Sequence, residues 1–397
     1  MTEPAPAIVQ FWVTSTGGGH RRVAEAVRDS LLSSGPAGLS VAIDDPLAYG
    51  ALPHARLLLR GYGPLVRTSP GVWGFLFDTF ARPWARTTLE AYLVSGLSGA
   101  MDRASRSRRP RVIVNCHPLL GPSASRVALR MDPRPEFLTL ITDMTVVHPG
   151  WLSPRDARFL VPSSVAYRWC LEQGVPEHQL VEVGLPVDPK LTAASSSRRD
   201  RAGERRKLGL DPGRPLVLLG GGGEGAGDLQ QLVSALANSG LPVQLAVMCG
   251  RNTRLRRWVV GHPGLSSVVA LPYLQDPSPW LLAADVYVGK AGPSALAEAA
   301  ACGLAMVVTH ALPGQESRNR SLLVESGVAL GADGTVELLE VLARLCASDG
   351  SLLARMQQAA RGWARPDAAF LAAREILSRL PGSGFGDETH PLEGPSL

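Results

Sequence analysis

Short apolar runs alternate with amphipathic stripes along most of the chain. Residues 8–13 read as a buried strand, and 20–32 as a helix with Val23, Ala26, Val27 and Leu31 on one face. Residues 111–115 and 137–142 read as further strands, and 157–161 as a shorter one. From Pro215 the alternation starts afresh, with strands at 216–219, 243–248, 268–271, 286–289 and 306–309 and helical stretches between them. Strands that alternate with helices predict a parallel, doubly wound α/β sheet. Residues 351–380 read as helical.

Three segments break the pattern. Residues 47–99 are rich in Gly, Pro and aromatics (Tyr62, Trp73, Phe75, Phe77, Phe80, Trp84, Tyr92), and two readings stay open. The stretch is either an extra helical pair packed on the first domain, or an apolar flap or membrane-contacting surface with Arg56, Arg60, Arg67, Arg82 and Arg86 beside the apolar side chains. Residues 192–207 (TAASSSRRDRAGERRK) have no apolar periodicity and read as a linker. Residues 381–397 are too polar and Gly/Pro-rich to fold. The expected organisation is a first domain over 1–191, a linker over 192–207, a second domain over 208–380 and a disordered tail over 381–397. The length of 397 residues agrees, because single cores stop growing at ~250–300 residues.

Charge and cysteine usage remove several function classes. The net charge of +5 is spread along the chain, with no nucleic-acid motif and no aromatic-interleaved basic stripe, so nucleic acid is not an expected partner. A weak attraction to an anionic membrane surface or to a nucleotide diphosphate stays open. Cys116, Cys170, Cys249, Cys302 and Cys346 are odd in number and far apart, which is the usage of a reducing compartment. The start lacks a basic region before its short apolar run, and no stretch of ~18 apolar residues occurs. The expectation is a cytoplasmic protein whose membrane contact, if any, is peripheral.

Candidate chemistry gathers at two glycine clusters. Gly17, Gly18, Gly19 and His20 follow the first strand, and Gly220, Gly221, Gly222 and Gly223 follow residues 215–219 and lead through Glu224 and Gly225 into a helix. A strand, a turn without side chains and an immediate helix bring backbone N–H groups and the positive end of a helix dipole to the strand's carboxyl edge. Two such turns, each opening its own α/β pattern, predict two similar Rossmann-like domains facing a shared cleft. In the second domain four segments should converge there: 220–225, 249–252 with Arg251 and Asn252, 290–298 with Gly292, Pro293, Ser294 and Glu298, and 314–319 with Gln315, Glu316 and Asn319. Pro293 and Ser294 suit a helix start, which places Glu298 about one turn inside, where a carboxylate can accept two hydrogen bonds from a ribose diol. His20 sits in the first turn of a helix whose dipole disfavours the imidazolium, so it is a candidate general base. Asp143 is the rival base, or the group that orients His20. His117 and His148 each precede a proline and are read as acceptor-side or structural, and Trp151 as lining an entrance for lipid or as core.

These residues bring the chain to a family. The runs STGGGHRRVAEA, CHPL, ITDMTVVHPGW, GLPVDP, GGGGEGAGDL, CGRN, GKAGPSALAEA and PGQESRN occur in order over roughly residues 8–330. Together they resemble the monogalactosyldiacylglycerol synthase family, which includes bacterial diacylglycerol glucosyltransferases and is more distantly similar to the transferase that makes lipid II. The resemblance implies a GT-B type fold and an inverting transfer of a hexose from a UDP-sugar to a lipid hydroxyl, diacylglycerol in the family. It implies that Gly221, Gly222, Gly223, Glu224 and Gly225 approach the diphosphate. Glu298 would hold the ribose, Gln315 and Glu316 the sugar hydroxyls, and Asn319 would support their loop. Arg251 would lie beside the uracil or the diphosphate, with Asn252 next to it. Gly18 and Gly19 would face the acceptor. No Asp-x-Asp motif occurs, so neither metal nor cofactor is expected. A non-catalytic nucleotide-sugar-binding subunit and a UDP-sugar epimerase of the same fold are the competing readings.

Overall fold

A computed structural model describes residues 8–14, 18–193, 200–314, 316–347 and 349–380. The first half runs β1 (Ile8–Trp12), α1 (Gly19–Ser34), β2 (Ser40–Asp44), α2 (Pro53–Thr68), α3 (Pro70–Ala81), α4 (Pro83–Arg108), β3 (Val112–Asn115), α5 (Gly121–Ala128), β4 (Glu136–Leu140), β5 (Arg158–Val161), α6 (Ser164–Glu172) and β6 (Leu180–Glu182). Two short helices follow, α7 (Pro189–Ala193) and α8 (Arg201–Lys207). The second half runs β7 (Leu216–Gly220), α9 (Leu229–Ala237), β8 (Gln244–Met248), α10 (Thr253–Gly261), β9 (Val268–Leu271), α11 (Ser278–Ala283), β10 (Val286–Lys290), α12 (Pro293–Ala301), β11 (Ala305–His310), α13 (Ser317–Glu325), β12 (Ala329–Gly331), α14 (Thr335–Leu345), α15 (Ser351–Trp363) and α16 (Ala368–Leu377).

The described residues build two six-stranded parallel sheets, ordered β2-β1-β3-β4-β5-β6 and β12-β11-β10-β7-β8-β9. In each, the winding reverses once, between β1 and β3 and between β7 and β10. Ligands bind open α/β sheets at such reversals, outside the carboxyl ends of the strands. Both glycine turns therefore sit where the topology opens a crevice. The helical layers explain why the central strands read as nearly unbroken apolar runs. Val9, Phe11 and Val13 pack against Val23, Val27 and Leu31 of α1, while Trp12 and Ile113 point to the other face, under α2 and α4.

Four features differ from the sequence expectation. Residues 47–99 lie mostly in three helices, α2, α3 and α4, instead of a pair; α4 buries Leu93, Leu97 and Met101 on the first sheet. The span expected as a linker contains α8, held by charge instead of apolar packing. The buried Arg205 guanidinium bonds Asp285 and donates through Nε to the Ala283 carbonyl at 3.0 Å. Residues 351–380 form two helices, broken around Pro366. The second of them does not stay with the domain to which 208–380 was assigned: Leu371, Ala372, Ala373, Ile376 and Leu377 of α16 enter the core of the first sheet beside α1. The tail 381–397 lies outside the described residues.

This strap makes a stability prediction. Ile376 is fully buried against the first domain, so Ile376→Ala should cost ~2–5 kcal/mol. Urea denaturation followed by tryptophan fluorescence should show an earlier midpoint. An unchanged midpoint would mean that α16 is not part of that core.

Candidate active site

Between the two sheets' carboxyl edges lies a cavity of about 490 Å³, within the ~300–1,000 Å³ usual for ligand sites. One wall is polar and is built largely from loop and helix starts. Gly18, Gly19, His20, Arg22 and Thr142 come from the first domain; Gly222, Gly223, Gly250, Lys290, Gly292, Pro293, Ser294, Glu298 and Glu316 come from the second. The other wall is apolar. Leu57, Leu58, Tyr62 and Leu65 of α2, Trp73, Leu76, Phe77 and Phe80 of α3 and Leu89 of α4 make most of it. Residues 47–99 thus pack on the sheet and also face the cleft.

The N-terminus of α1 meets the N-terminus of α12 across the cavity. A Cβ at Gly19 would stand 2.9 Å from Ser294 Oγ, and one at Gly18 (φ +78°) 3.9 Å from the Gly223 Cα. The two turns meet through the Ser294 hydroxyl, and the positive φ of Gly18 is a backbone conformation that favours glycine. The glycine loop after β7 is held from behind by the turn after β8. Gly225 (φ +59°) and Gly250 (φ +56°) interlock with the Cys249 and Gly223 carbonyls, the Arg251 N–H donates to Gly223 O at 2.9 Å, and Asn252 Nδ2 donates to Gly225 O at 3.0 Å. Asn252 therefore braces the loop and caps α10 instead of lining the cavity.

The carboxylates of the polar wall are paired with cations, two of them across the cleft. Glu298, buried on α12, accepts from Arg22 Nη2 of α1 at 2.6 Å. Burial raises its pKa and the Arg22 guanidinium opposes that rise. Glu224 accepts from Arg67 of α2 at 2.6 Å and from Arg251 at 3.1 Å. Its carboxylate fits only because residue 63 is glycine; a Cβ there would lie 2.4 Å from Oε2. Lys290 pairs with Glu316, whose Oε2 also accepts from the Leu312 N–H at 3.1 Å. Arg251 stacks 4.2 Å from the centre of the Tyr273 ring, which lines the cavity. Asn319, fully buried, receives the Thr145 hydroxyl of the first domain at 2.5 Å and donates to the Ala291 carbonyl at 3.0 Å. Gly221 underlies the loop through its carbonyl, which accepts from the Ala226 N–H. Gln315 lies outside the described residues.

His20 stands at the seam of the two walls. Its Nδ1 is 2.9 Å from the Thr142 hydroxyl, and its ring lies edge-on to His117 with centroids 4.6 Å apart. Burial lowers its pKa to about 4, so the ring is neutral at physiological pH. His117 is lowered well below the ordinary value by burial and by the neighbouring His20, and its Nδ1 accepts from the Leu119 N–H. His148 is lowered to about 4 by burial and then by Arg86; its Nδ1 caps the turn at Gly150 and its ring packs on Phe77. Asp143 is buried, accepting from Trp151 Nε1 at 2.7 Å and from the His148 N–H at 3.3 Å. Trp151 is fully buried and is not a lipid entrance: its indole holds Asp143, and its ring lies 5.8 Å from His20.

Arg22, Arg67, Thr142, Tyr273 and Lys290 are site residues that the motif reading did not name as such, and Glu224, which it did name, is paired with Arg67 and Arg251. One signal for Arg22 was available. Arg21 and Arg22 sit in the first turn of α1, where a cation opposes the helix dipole, and no acidic residue accompanies them there. Cations in that place need partners elsewhere.

The chain was compared with known proteins. The family model for monogalactosyldiacylglycerol (MGDG) synthase matches residues 20–187, and that for the glycosyltransferase family 28 C-terminal domain matches residues 216–365. A relative named probable monogalactosyldiacylglycerol synthase 3, chloroplastic, from Oryza sativa subsp. japonica is 30% identical over 386 residues, covering 94% of this chain and 75% of the relative. Among solved structures, MurG of Acinetobacter baumannii aligns with TM-score 0.55 at 17% identity, covering 94% of this chain and 100% of that one. A UDP-N-acetylglucosamine 2-epimerase aligns with TM-score 0.59 at 13% identity, covering 97% and 98%. At such identities the structures speak for the fold alone, two parallel-sheet domains of GT-B type.

The electrostatics of the three histidines can be measured directly. Since their pKa values lie below the ordinary 6.5, the rings stay neutral as pH falls through 6 and charge only in more acid solution. NMR titration of the folded protein should put the midpoints of His20 and His148 near pH 4. A His20 midpoint near 6.5 would contradict the desolvated site.

Proposed function

The chain belongs to the monogalactosyldiacylglycerol synthase family and is a glycosyltransferase, and from that premise we propose that it moves a hexose from a UDP-sugar to the hydroxyl of diacylglycerol, with inversion at the sugar carbon. The observation that best supports this is one cavity with a polar wall of helix N-termini and an apolar wall of leucines and aromatics, meeting at His20. A nucleotide diphosphate suits the first wall and acyl chains the second. An epimerase, or a binding subunit without chemistry, has no use for an apolar wall that reaches a neutral imidazole.

In this reading Glu298 accepts the ribose diol, and Gly222, Gly223 and the N-terminus of α12 face the diphosphate. Tyr273, with Arg251 behind it, lies on the nucleotide side. Lys290 and Glu316 reach the transferred sugar and its phosphate, with Asn319 holding their loop. Acyl chains lie along α2 and α3. The Thr142 hydroxyl lies 2.9 Å from His20 Nδ1, and the reading assigns the imidazole proton to Nδ1, donated to Thr142, which leaves Nε2 as the base. Desolvation makes this a weak base. That suffices if the proton moves late, after the sugar C1 has begun to bond the acceptor oxygen and made its proton acidic. The electron pair of the breaking C1–O bond goes to the β-phosphate oxygen, and UDP leaves. Lys290 and the helix N-termini supply positive charge at that oxygen, so the reading includes no metal and no cofactor.

Radiolabelled UDP-galactose and UDP-glucose, offered with dioleoylglycerol in mixed micelles, should yield a β-linked glycolipid from one donor or both. Only free sugar, or only an epimerised nucleotide sugar, would overturn the reading. In the same assay His20→Ala should lower kcat by ~10²–10⁴ with UDP affinity unchanged. Asp143, committed to Trp151 and His148, should matter less: a larger kcat loss in Asp143→Asn would move the base to that residue.

The reading also has the enzyme work from a membrane surface. No helix of the described residues is long and apolar enough to cross a membrane, and the expected cytoplasmic residence finds no support in the relatives, whose names place them in chloroplasts. On α2, α3 and α4, however, Leu57 (77% exposed), Phe75 (70%) and Trp84 (67%) stand in solvent together with Leu52, Val72 and Tyr92. Arg60 and Arg82 are exposed beside them, whereas Arg67 is drawn inward to Glu224. Aromatic rings enter a bilayer interface, and each nearby Arg contributes ~1 kcal/mol on an anionic surface. Flotation with liposomes should therefore rise with anionic lipid and fall with salt, and Phe75→Ser/Trp84→Ser should weaken it. No association at any anionic fraction would refute surface binding.

A further inference from the structure

We propose that Arg22 is a donor-site residue supplied by the first domain, which exchanges its partner Glu298 for the donor's diphosphate and stabilises the departing β-phosphate; this rests on the UDP-sugar reading above. The argument starts from position. Arg22 is one turn into α1 and Glu298 about one turn into α12, and the two helix starts touch at Gly19 and Ser294. A guanidinium joined to Glu298 at 2.6 Å therefore stands beside the ribose position and close to the α12 N-terminus, where the phosphates are expected.

Charge leads to the same residue. The Glu298 carboxylate lies in the field of two other carboxylates, Asp188 and Asp276, both of which raise its pKa. A diphosphate arriving beside three carboxylates needs a cation on the same side; Lys190 and Arg22 both act on Asp276 by their fields, and of these two it is Arg22 that also pairs with Glu298. Once the neutral ribose diol hydrogen-bonds Glu298, the carboxylate has a second set of donors and the guanidinium is shared with the phosphate, whose planar two-oxygen edge matches its fork. Cleavage then proceeds with the electron pair of the C1–O bond passing to the β-phosphate oxygen that Arg22 faces, while the acceptor's proton goes to His20. Because Arg22 belongs to the first domain and the nucleotide rests on the second, this contact also ties donor binding to closure of the cleft. The placement has an intrinsic cost. A cation in the first turn of α1 opposes the helix dipole, which makes a purely local structural role a poor explanation.

Calorimetry with uridine and with UDP separates this from a bracing role. For Arg22→Ala, UDP affinity should fall about 10- to 100-fold while uridine affinity, which depends on Glu298 and not on phosphate, holds or rises. Arg22→Lys, which keeps the charge without the fork, should recover part of the UDP affinity, and kcat should fall in Arg22→Ala even at saturating donor. Equal weakening of uridine and UDP would overturn the proposal and leave Arg22 as a brace for Glu298; unchanged affinity for both would overturn it as well. Failure of the unsubstituted protein to bind UDP would instead bring down the donor reading, and this inference with it.

Discussion

Two helices begin on opposite sides of one cavity, and their N-termini come so close that a Cβ at Gly19 would stand 2.9 Å from the Ser294 hydroxyl oxygen. Gly18 and Gly19 at the start of α1 face Gly223 and Ser294 across the cleft, and the rest of the site depends on this approach. Each helix end presents unsatisfied N–H groups worth roughly half a positive charge. Two such ends aimed at the same space repel each other and attract anions. The sheets hold them there through buried strands and through α16, which straps the end of the second half to the core of the first.

The carboxylates near this positive space are matched to cations. Arg22–Glu298 and Arg67–Glu224 cross between the domains, and Lys290–Glu316 lies within the second. The carboxylates of the two crossing pairs are buried while their arginines keep about a quarter of their surface open, 25% for Arg22 and 29% for Arg67, so the guanidinium is the partner that can turn to a ligand group. The apolar wall has another origin. The helices α2, α3 and α4 are more apolar than the first sheet needs to cover its face, and the surplus is divided between the cavity and the solvent. Arg67 and Gly63 connect this wall to the glycine loop after β7, since both lie on α2 and both meet Glu224. A ligand lying along α2 and a ligand lying on the glycine loop therefore share a mechanical neighbour.

Much of this was legible in the residues. The central strands β1, β3, β7, β8 and β10 are buried on both faces and so announce themselves as apolar runs. The strands β2, β6 and β12 were not recognised: all three lie at sheet edges, with residues such as Ser40, Glu182 and Gly331 in exposed or partly exposed places, and β6 and β12 are only 3 residues long. The helix α8 was missed because charge anchors it, through Arg205 to Asp285, and periodicity arguments see only apolar anchors. At the site, glycines and histidines next to strands could be placed by topology alone. Arg22, Thr142 and Tyr273 could not, because their importance arises from what the other domain puts opposite them. For Trp151 the residues left a lipid entrance and core packing both open, and burial decides for the core, where its N–H holds the Asp143 carboxylate.

The central claim is that the apolar wall of α2 and α3 receives the acyl chains of the acceptor while the opposite wall receives the nucleotide. Photolabelling tests it most directly. A diacylglycerol carrying a diazirine on one acyl chain, irradiated with the protein in the presence of UDP and mapped by mass spectrometry, should label peptides spanning residues 53–81, and excess dioleoylglycerol should suppress that labelling. Labelling confined to other segments, or labelling of 53–81 that excess dioleoylglycerol leaves unchanged, would contradict the account.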